Sequence, residues 1–111
     1  MATAYLGEFE QLLLLTILRL GAEAYGVDIA RDLEERAGRR VSRGALYTSL
    51  DRLEDKGLLR WKPGAGSPER EGLPRRRYTV TPAGVAALRE ARDTLKKMWR
   101  GIEHLLNEPS A

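Results

Sequence analysis

Between Gly57 and Thr81 the apolar residues recur at every second position, whereas before and after that stretch they recur every three or four. Leu59 and Trp61 alternate with Arg60 and Lys62, and Tyr78 and Val80 alternate with Arg77 and Thr79. Alternation of this kind marks half-buried strands, here expected over Leu58–Lys62 and Arg75–Val80. The stretch from Pro63 to Pro74 is rich in Gly, Pro, Ser and charge and is predicted to be a flexible hairpin tip. One hairpin set in an otherwise helical chain leaves few architectures open.

The helical segments carry their own stop signals. A first helix is expected from Gly7 to Leu20, with Gly21 ending it, and a second from Tyr25 to Ala37, ended by Gly38. Ser42 is placed to cap a third helix running to about Lys56, ahead of Gly57. Thr81-Pro82 opens a last helix that can continue to about Asn107, ~39 Å at 1.5 Å per residue. The order is helix, helix, helix, strand, strand, long helix. This predicts a mainly α fold with a small β-hairpin: a winged helix-turn-helix over residues 1–81, then a dimerisation helix and tail over 82–111.

With 111 residues the chain suffices for one compact domain and leaves little for a deep substrate pocket. It has no cysteine, which excludes disulfides, thiolate catalysis and cysteine metal sites. His104 is the sole histidine, so neither a metal cluster nor a Ser-His pair can be built within one subunit. Gly64-Ala65-Gly66 starts like a phosphate-binding glycine motif, but Glu69 stands at the third glycine position and no helix follows. No catalytic residues, cofactor or metal are expected. The N-terminus has acidic Glu8 and Glu10 where a signal peptide would be basic, and the apolar run Leu12–Leu18 is too short to span a bilayer. A cytoplasmic location, away from membranes, is the expectation.

Charge is segregated along the chain. Met1 to Glu35 has two basic and seven acidic residues, Arg36 to Arg77 has twelve basic and five acidic, and the remainder is nearly balanced. A basic segment beside an acidic one suggests a polyanion-binding face. That segment contains the third helix, where Leu46, Leu50 and Leu53 share one face while Gly44, Thr48, Asp51, Arg52 and Asp55 share the other. A recognition helix needs this division: an anchoring stripe, and a projecting face whose first residues reach base edges. Gly44 and Thr48 are small enough for close approach to a groove, Arg43 and Tyr47 flank them, and the helix start near Ser42 favours a phosphate. An ordinary amphipathic helix would show the same stripe. The run Arg75-Arg76-Arg77, with Lys62 on the paired strand, adds a basic wing able to grip phosphates or enter a minor groove. The expected DNA-binding residues are thus Ser42, Arg43, Gly44, Tyr47, Thr48, Arg52, Lys62, Arg75, Arg76 and Arg77. Duplex DNA is favoured over RNA because no aromatic stacking platform is evident.

The stretches LGEFEQLLLLTILRLG, AYGVDIARDLEER, VSRGALYTSLDRLEDKGLL and RRRYTVTPAG resemble, in order, the PadR family of transcriptional regulators. The resemblance runs from about Leu6 to Gly84. It implies a winged helix-turn-helix with a C-terminal dimerisation helix, and usually repression that a small molecule relieves. By the same resemblance Tyr47 and Thr48 lie on the DNA-facing part of the recognition helix, and the chain is similar to the subgroup with a short C-terminal tail.

From Leu88 on, two heptad series appear: Leu88, Leu95 and Ile102, and Ala91, Met98 and Leu105. They form the a/d seam of a helix packing along a partner, unless the stripe folds back on its own domain. The first helix is apolar nearly all round and so needs cover on more than one side. Leu13 and Ile17 therefore join the heptad positions as expected contacts of a homodimer, whose symmetry implies a palindromic operator. Trp99 flanks the seam. It is expected either to pack there or, with Phe9 and Leu13, to line a cavity that takes a planar aromatic effector. The competing function is a winged-helix module that binds protein and not DNA.

Overall fold

The structure is a computed structural model that describes residues 5–66 and 74–107. Three helices come first: α1 (Glu8–Leu20), α2 (Gly26–Ala37) and α3 (Arg43–Asp55). Each ends where a glycine can take a positive φ. Gly21 (φ 58°) follows α1, and Gly38 (φ 66°) follows α2, where the N–H of Arg39 returns to the Leu33 carbonyl at 3.1 Å. Ser42 caps α3 as expected, its hydroxyl accepting from the Ala45 N–H at 3.1 Å.

The hairpin follows as β1 (Leu59–Gly66) and β2 (Pro74–Val80), antiparallel, with Leu59 opposite Val80, Trp61 opposite Tyr78 and Lys62 opposite Arg77. The register shifts between Pro63 and Gly66. Strand β1 runs further than its alternation suggested, to Gly66, and Gly64 within it lies against the Tyr25 ring where no side chain would fit. The middle of the expected tip, residues 67–73, lies outside the described residues. A third edge is added by Ala24 and Tyr25: the Tyr78 N–H donates to the Ala24 carbonyl at 2.9 Å, and Tyr25 bridges to Arg77. Thus β2 is hydrogen-bonded on both sides.

The core is a single cluster. Leu13, Leu14 and Ile17 of α1 meet Ile29 and Leu33 of α2, Leu46, Leu50 and Leu53 of α3, and Leu58, Leu59, Tyr78 and Val80 of the hairpin. Leu13 and Ile17, expected to face a partner, are 0% and 2% exposed. They belong to this core, because α2, α3 and β2 together cover the Leu13–Ile17 side of α1 completely. What α1 leaves open is Leu15 and Leu18, 49% and 47% exposed. Leu13 is equally unavailable as the lining of an effector cavity.

Helix α4 (Pro82–Trp99) opens on Thr81, which accepts from the Gly84 N–H at 3.1 Å and donates to the Gly57 carbonyl at 2.7 Å. Its first half lies on the core through Ala87, Val85 and Leu88. Leu88, expected at a dimer seam, therefore packs against its own domain. The helix also stops earlier than expected, after 18 residues, or about 27 Å. Arg100 leaves the helical region, Gly101 takes φ 89°, and a separate short helix α5 (Glu103–Asn107) follows. The Glu103 carboxylate accepts from the Gly101 N–H at 3.0 Å and so stabilises the break. The seam positions Ile102 and Leu105 thus stand beyond a turn and do not continue one straight stripe.

Candidate nucleic-acid interface

Helix α3 is held by its buried leucines and presents Arg43, Gly44, Thr48, Asp51, Arg52 and Asp55 to solvent. The serine hydroxyl satisfies one N–H of the first turn, and the remaining N–H groups there have no helical acceptor. Arg52 is on the exposed side but in the last turn, about 13 Å along the axis from Arg43. Tyr47 is only half-buried, yet it is not free. Its phenol rests against Gly26 at the start of α2, so closely that a Cβ there would lie 2.9 Å from the ring carbon bearing the hydroxyl. Tyr47 is therefore a wedge between α2 and α3 with one ring face toward solvent, and the Arg43 guanidinium lies 5.9 Å from its centre.

Strand geometry separates the three wing arginines. Residues directly opposite in the antiparallel ladder share a face, so Arg77 lies with Lys62 and Arg60 with Thr79, while Arg76 shares the face of Trp61 and Tyr78. The Arg75 guanidinium stacks on Tyr25 at 4.1 Å, and that of Arg76 on Trp61 at 4.4 Å. Arg76 also pairs with Asp51 of α3, Nη1 to Oδ1, at 3.6 Å. The Tyr78 phenol oxygen, together with Asp51 and Glu54, raises the pKa of Arg76 still further. Burial pushes the Tyr78 phenol upward, with the neighbouring Arg76 opposing in part.

Arg43, Tyr47, Arg75 and Arg76 meet in one cleft of about 630 Å³ between α2, α3 and the wing. Tyr25, Val27 and Arg31 complete its walls. Arg77 lies elsewhere, beside a smaller cleft of about 330 Å³ with Ile17, Leu18, Gly21 and Ala22 at the end of α1. Lys62 is its neighbour across the ladder. The structure thus brings four expected residues together and leaves Arg77 and Lys62 apart. Neither cleft includes Phe9 or Trp99. Phe9 instead lies under the Arg39 guanidinium, 5.7 Å from the ring centre.

Sequence reasoning missed Tyr25, Arg31 and Trp61. Arg31 stands on the polar side of α2 and could have been found by extending the basic face upstream of Arg36. Tyr25 and Trp61 carry no such signal, because their role is to hold arginines remote in sequence. Two further ion pairs fasten α1 behind this face: Arg39 to Glu8 at 2.8 Å and Lys56 to Glu10 at 2.7 Å. Burial alone would raise the Glu10 pKa, but Lys56 and the Gly7 N–H outweigh it and hold the carboxyl below its ordinary value.

No described helix is long and apolar enough to cross a membrane. Known proteins share both the sequence and the fold. Residues 14–90 match the family model described as the transcriptional regulator PadR-like family. A transcriptional regulator of Mycobacterium tuberculosis is 43% identical over 82 residues, covering 72% of this chain and 70% of its own. The crystal structure of a PadR-like transcription factor from Bacteroides fragilis superposes with a TM-score of 0.68 at 31% identity, covering 87% of this chain and 88% of its own. That of a PadR family transcription regulator from Clostridium difficile gives 0.61 at 27%, covering 89% and 95%. A winged-helix DNA-binding protein of STIV, 19% identical, shares the fold alone, with a TM-score of 0.66 over 88% of this chain and 98% of its own. The family consists of regulators and not enzymes, and a protein-only binding module is not favoured. Matched by the family model over residues 14–90 and by a relative 43% identical over 72% of its length, this chain is a DNA-binding transcriptional regulator that belongs to the PadR-like family.

Proposed function

We propose that the protein is a homodimeric repressor that binds a palindromic operator and is released by a small molecule. The observation that carries this reading is a set of large apolar side chains left open on α4 and α1. Leu95, Met98 and Trp99 of α4 are 52%, 72% and 40% exposed, and Leu15 and Leu18 of α1 are exposed as well. Ile102 and Leu105, beyond the turn that ends α4, are exposed too, and Ala91, half-buried, borders the α4 residues. Leu95, Met98 and Trp99 lie three and four residues apart on one face of α4, and an exposed apolar face marks an interaction site that a second copy would cover on both chains at once.

Two-fold symmetry then sets two α3 helices in successive major grooves, one turn apart. In each, Arg43, Gly44 and Thr48 approach the bases, Ser42 caps the helix, Tyr47 holds it, and Arg75 and Arg76 approach the backbone. Lys62, Arg77 and Arg52 reach phosphates at the margin. Trp99, at the end of α4, offers an indole face for a planar aromatic effector at the subunit boundary. Such a ligand weakens DNA binding only by preferring another spacing of the two reading heads. Acting on chromosomal duplex, the protein works in the cytoplasm.

The test is selection of bound fragments from the source genome, followed by light scattering of the protein alone and of the complex. Enriched fragments should share two inverted half-sites, and the free protein should have twice the chain mass. A monomer at micromolar concentration, or enriched fragments without two-fold symmetry, would refute the dimeric reading.

A further inference from the structure

Among the described residues, one ion pair joins the recognition helix to the wing, and its acid stands on the DNA-facing side of the helix. Asp51 follows Thr48 by three residues, so it occupies the same exposed face one turn on. A carboxylate there repels phosphate, yet it stands on the exposed face next to Arg52 in sequence and pairs with Arg76 of the wing. Its partner Arg76 is laid flat on Trp61, and both side chains of the pair remain substantially open, 43% for Arg76 and 58% for Asp51. At 3.6 Å the contact is longer than a tight charge-assisted hydrogen bond. It is close enough to occupy Arg76 and loose enough to exchange.

We propose that Asp51 is a specificity-determining residue that withholds Arg76 from DNA phosphates until the recognition helix seats on a matching base. A carboxylate on a groove-facing helix can accept from the N4 amino group of cytosine. On a sequence that offers this donor, Asp51 exchanges Arg76 for the base, and Arg76 swings from its place over Trp61 to the backbone. On other sequences Asp51 keeps Arg76, and one phosphate contact is not made. Discrimination thus comes from a base contact and a conditional phosphate contact together. The inference rests on the orientation of α3 and the wing toward DNA proposed above.

The experiment measures duplex affinity across salt concentrations for the full chain, with the selected operator and with random duplex. Wild type is compared with Asp51→Asn, Arg76→Gln, the double variant and Arg43→Gln. Asp51→Asn should bind random duplex several-fold more tightly, with a salt slope steeper by about 0.9, the value for one more phosphate neutralised. Its operator affinity should not rise in step, so the ratio of the two falls. Arg76→Gln alone should leave the random-duplex slope unchanged, and in the double variant the steepening should vanish. An unchanged slope for Asp51→Asn overturns the proposal. So does a steepening that survives in the double variant, which would be a general effect of removing a negative charge. If Arg43→Gln also leaves binding unchanged, the orientation itself is wrong and the proposal falls with it. If Arg43→Gln weakens binding while Asp51→Asn behaves as wild type, the role of Asp51 alone is refuted.

Discussion

Gly84 is the point where the wing domain carries the helix that reaches the proposed partner, and Gly84→Ala tests how rigid that joint is. A Cβ added there would overlap the Leu58 carbonyl oxygen and lie 2.7 Å from Val80 Cγ1, against 3.4–4 Å for ordinary contact. One obstacle is backbone and the other a β-branched side chain in the core, so neither can rotate away. Helix α4 must lift by roughly 1 Å, and overpacking of this kind costs about 1–3 kcal/mol. Replacing glycine within a helix returns about 0.5–1 kcal/mol. The net expectation is a loss of up to about 2.5 kcal/mol, or a Tm lower by as much as roughly 15 °C for a domain of this size. Thermal and urea melts at fixed protein concentration measure it, since a dimer's apparent stability depends on concentration. Well below its Tm the variant should still bind operator more weakly, because in the proposed dimer tilting α4 changes the separation of the two α3 helices. A variant more stable than wild type would show that α4 is not seated on the Leu58 backbone as described.

Gly26→Ala presents the opposite case: the obstacle is the far end of Tyr47, which can swing aside, so melts should change by less than about 1 kcal/mol while operator affinity falls measurably in a filter or fluorescence titration. Thr48→Ala should erode discrimination between operator and random duplex by about 1–3 kcal/mol, whereas Arg75→Gln should weaken both alike and flatten the salt slope by about 0.9. Leu95→Lys places an unpaired charge in the apolar stripe and should shift the mass seen by light scattering from dimer to monomer. The Glu10 carboxyl, held below its ordinary value by Lys56 and Gly7, contributes stability that is present above its unfolded pKa, near 4.5, and is lost as pH falls through the lower folded value. Melts of Glu10→Gln should therefore be less acid-sensitive than wild type below about pH 4.5 and less stable above it.

The sequence by itself determined everything that depends on neighbours a few residues away. The Ser42 and Thr81 caps, the glycine stops at Gly21, Gly38 and Gly57, and the buried stripe Leu46–Leu50–Leu53 all arise from local hydrogen bonding and helical period. Each was legible without a fold. The order of elements followed from them, and the family followed from the order and the motifs. Tertiary structure decided which of two apolar sides is spent on the core. On α1 the periodicity could not distinguish Leu13 and Ile17 from Leu15 and Leu18, because every side of the helix is apolar and only packing by α2, α3 and β2 selects one. It also decided where α4 ends, since a heptad pattern continues across Gly101 while the backbone at φ 89° does not. The division of the wing arginines was likewise beyond the sequence. Arg76 turns to Asp51 and Trp61, and Arg75 to Tyr25, because β2 takes Ala24 and Tyr25 along its second edge while its partner strand β1 packs on α3. Those pairings join residues 15 to 50 positions apart, and no local period records them; only the closed core brings them within reach.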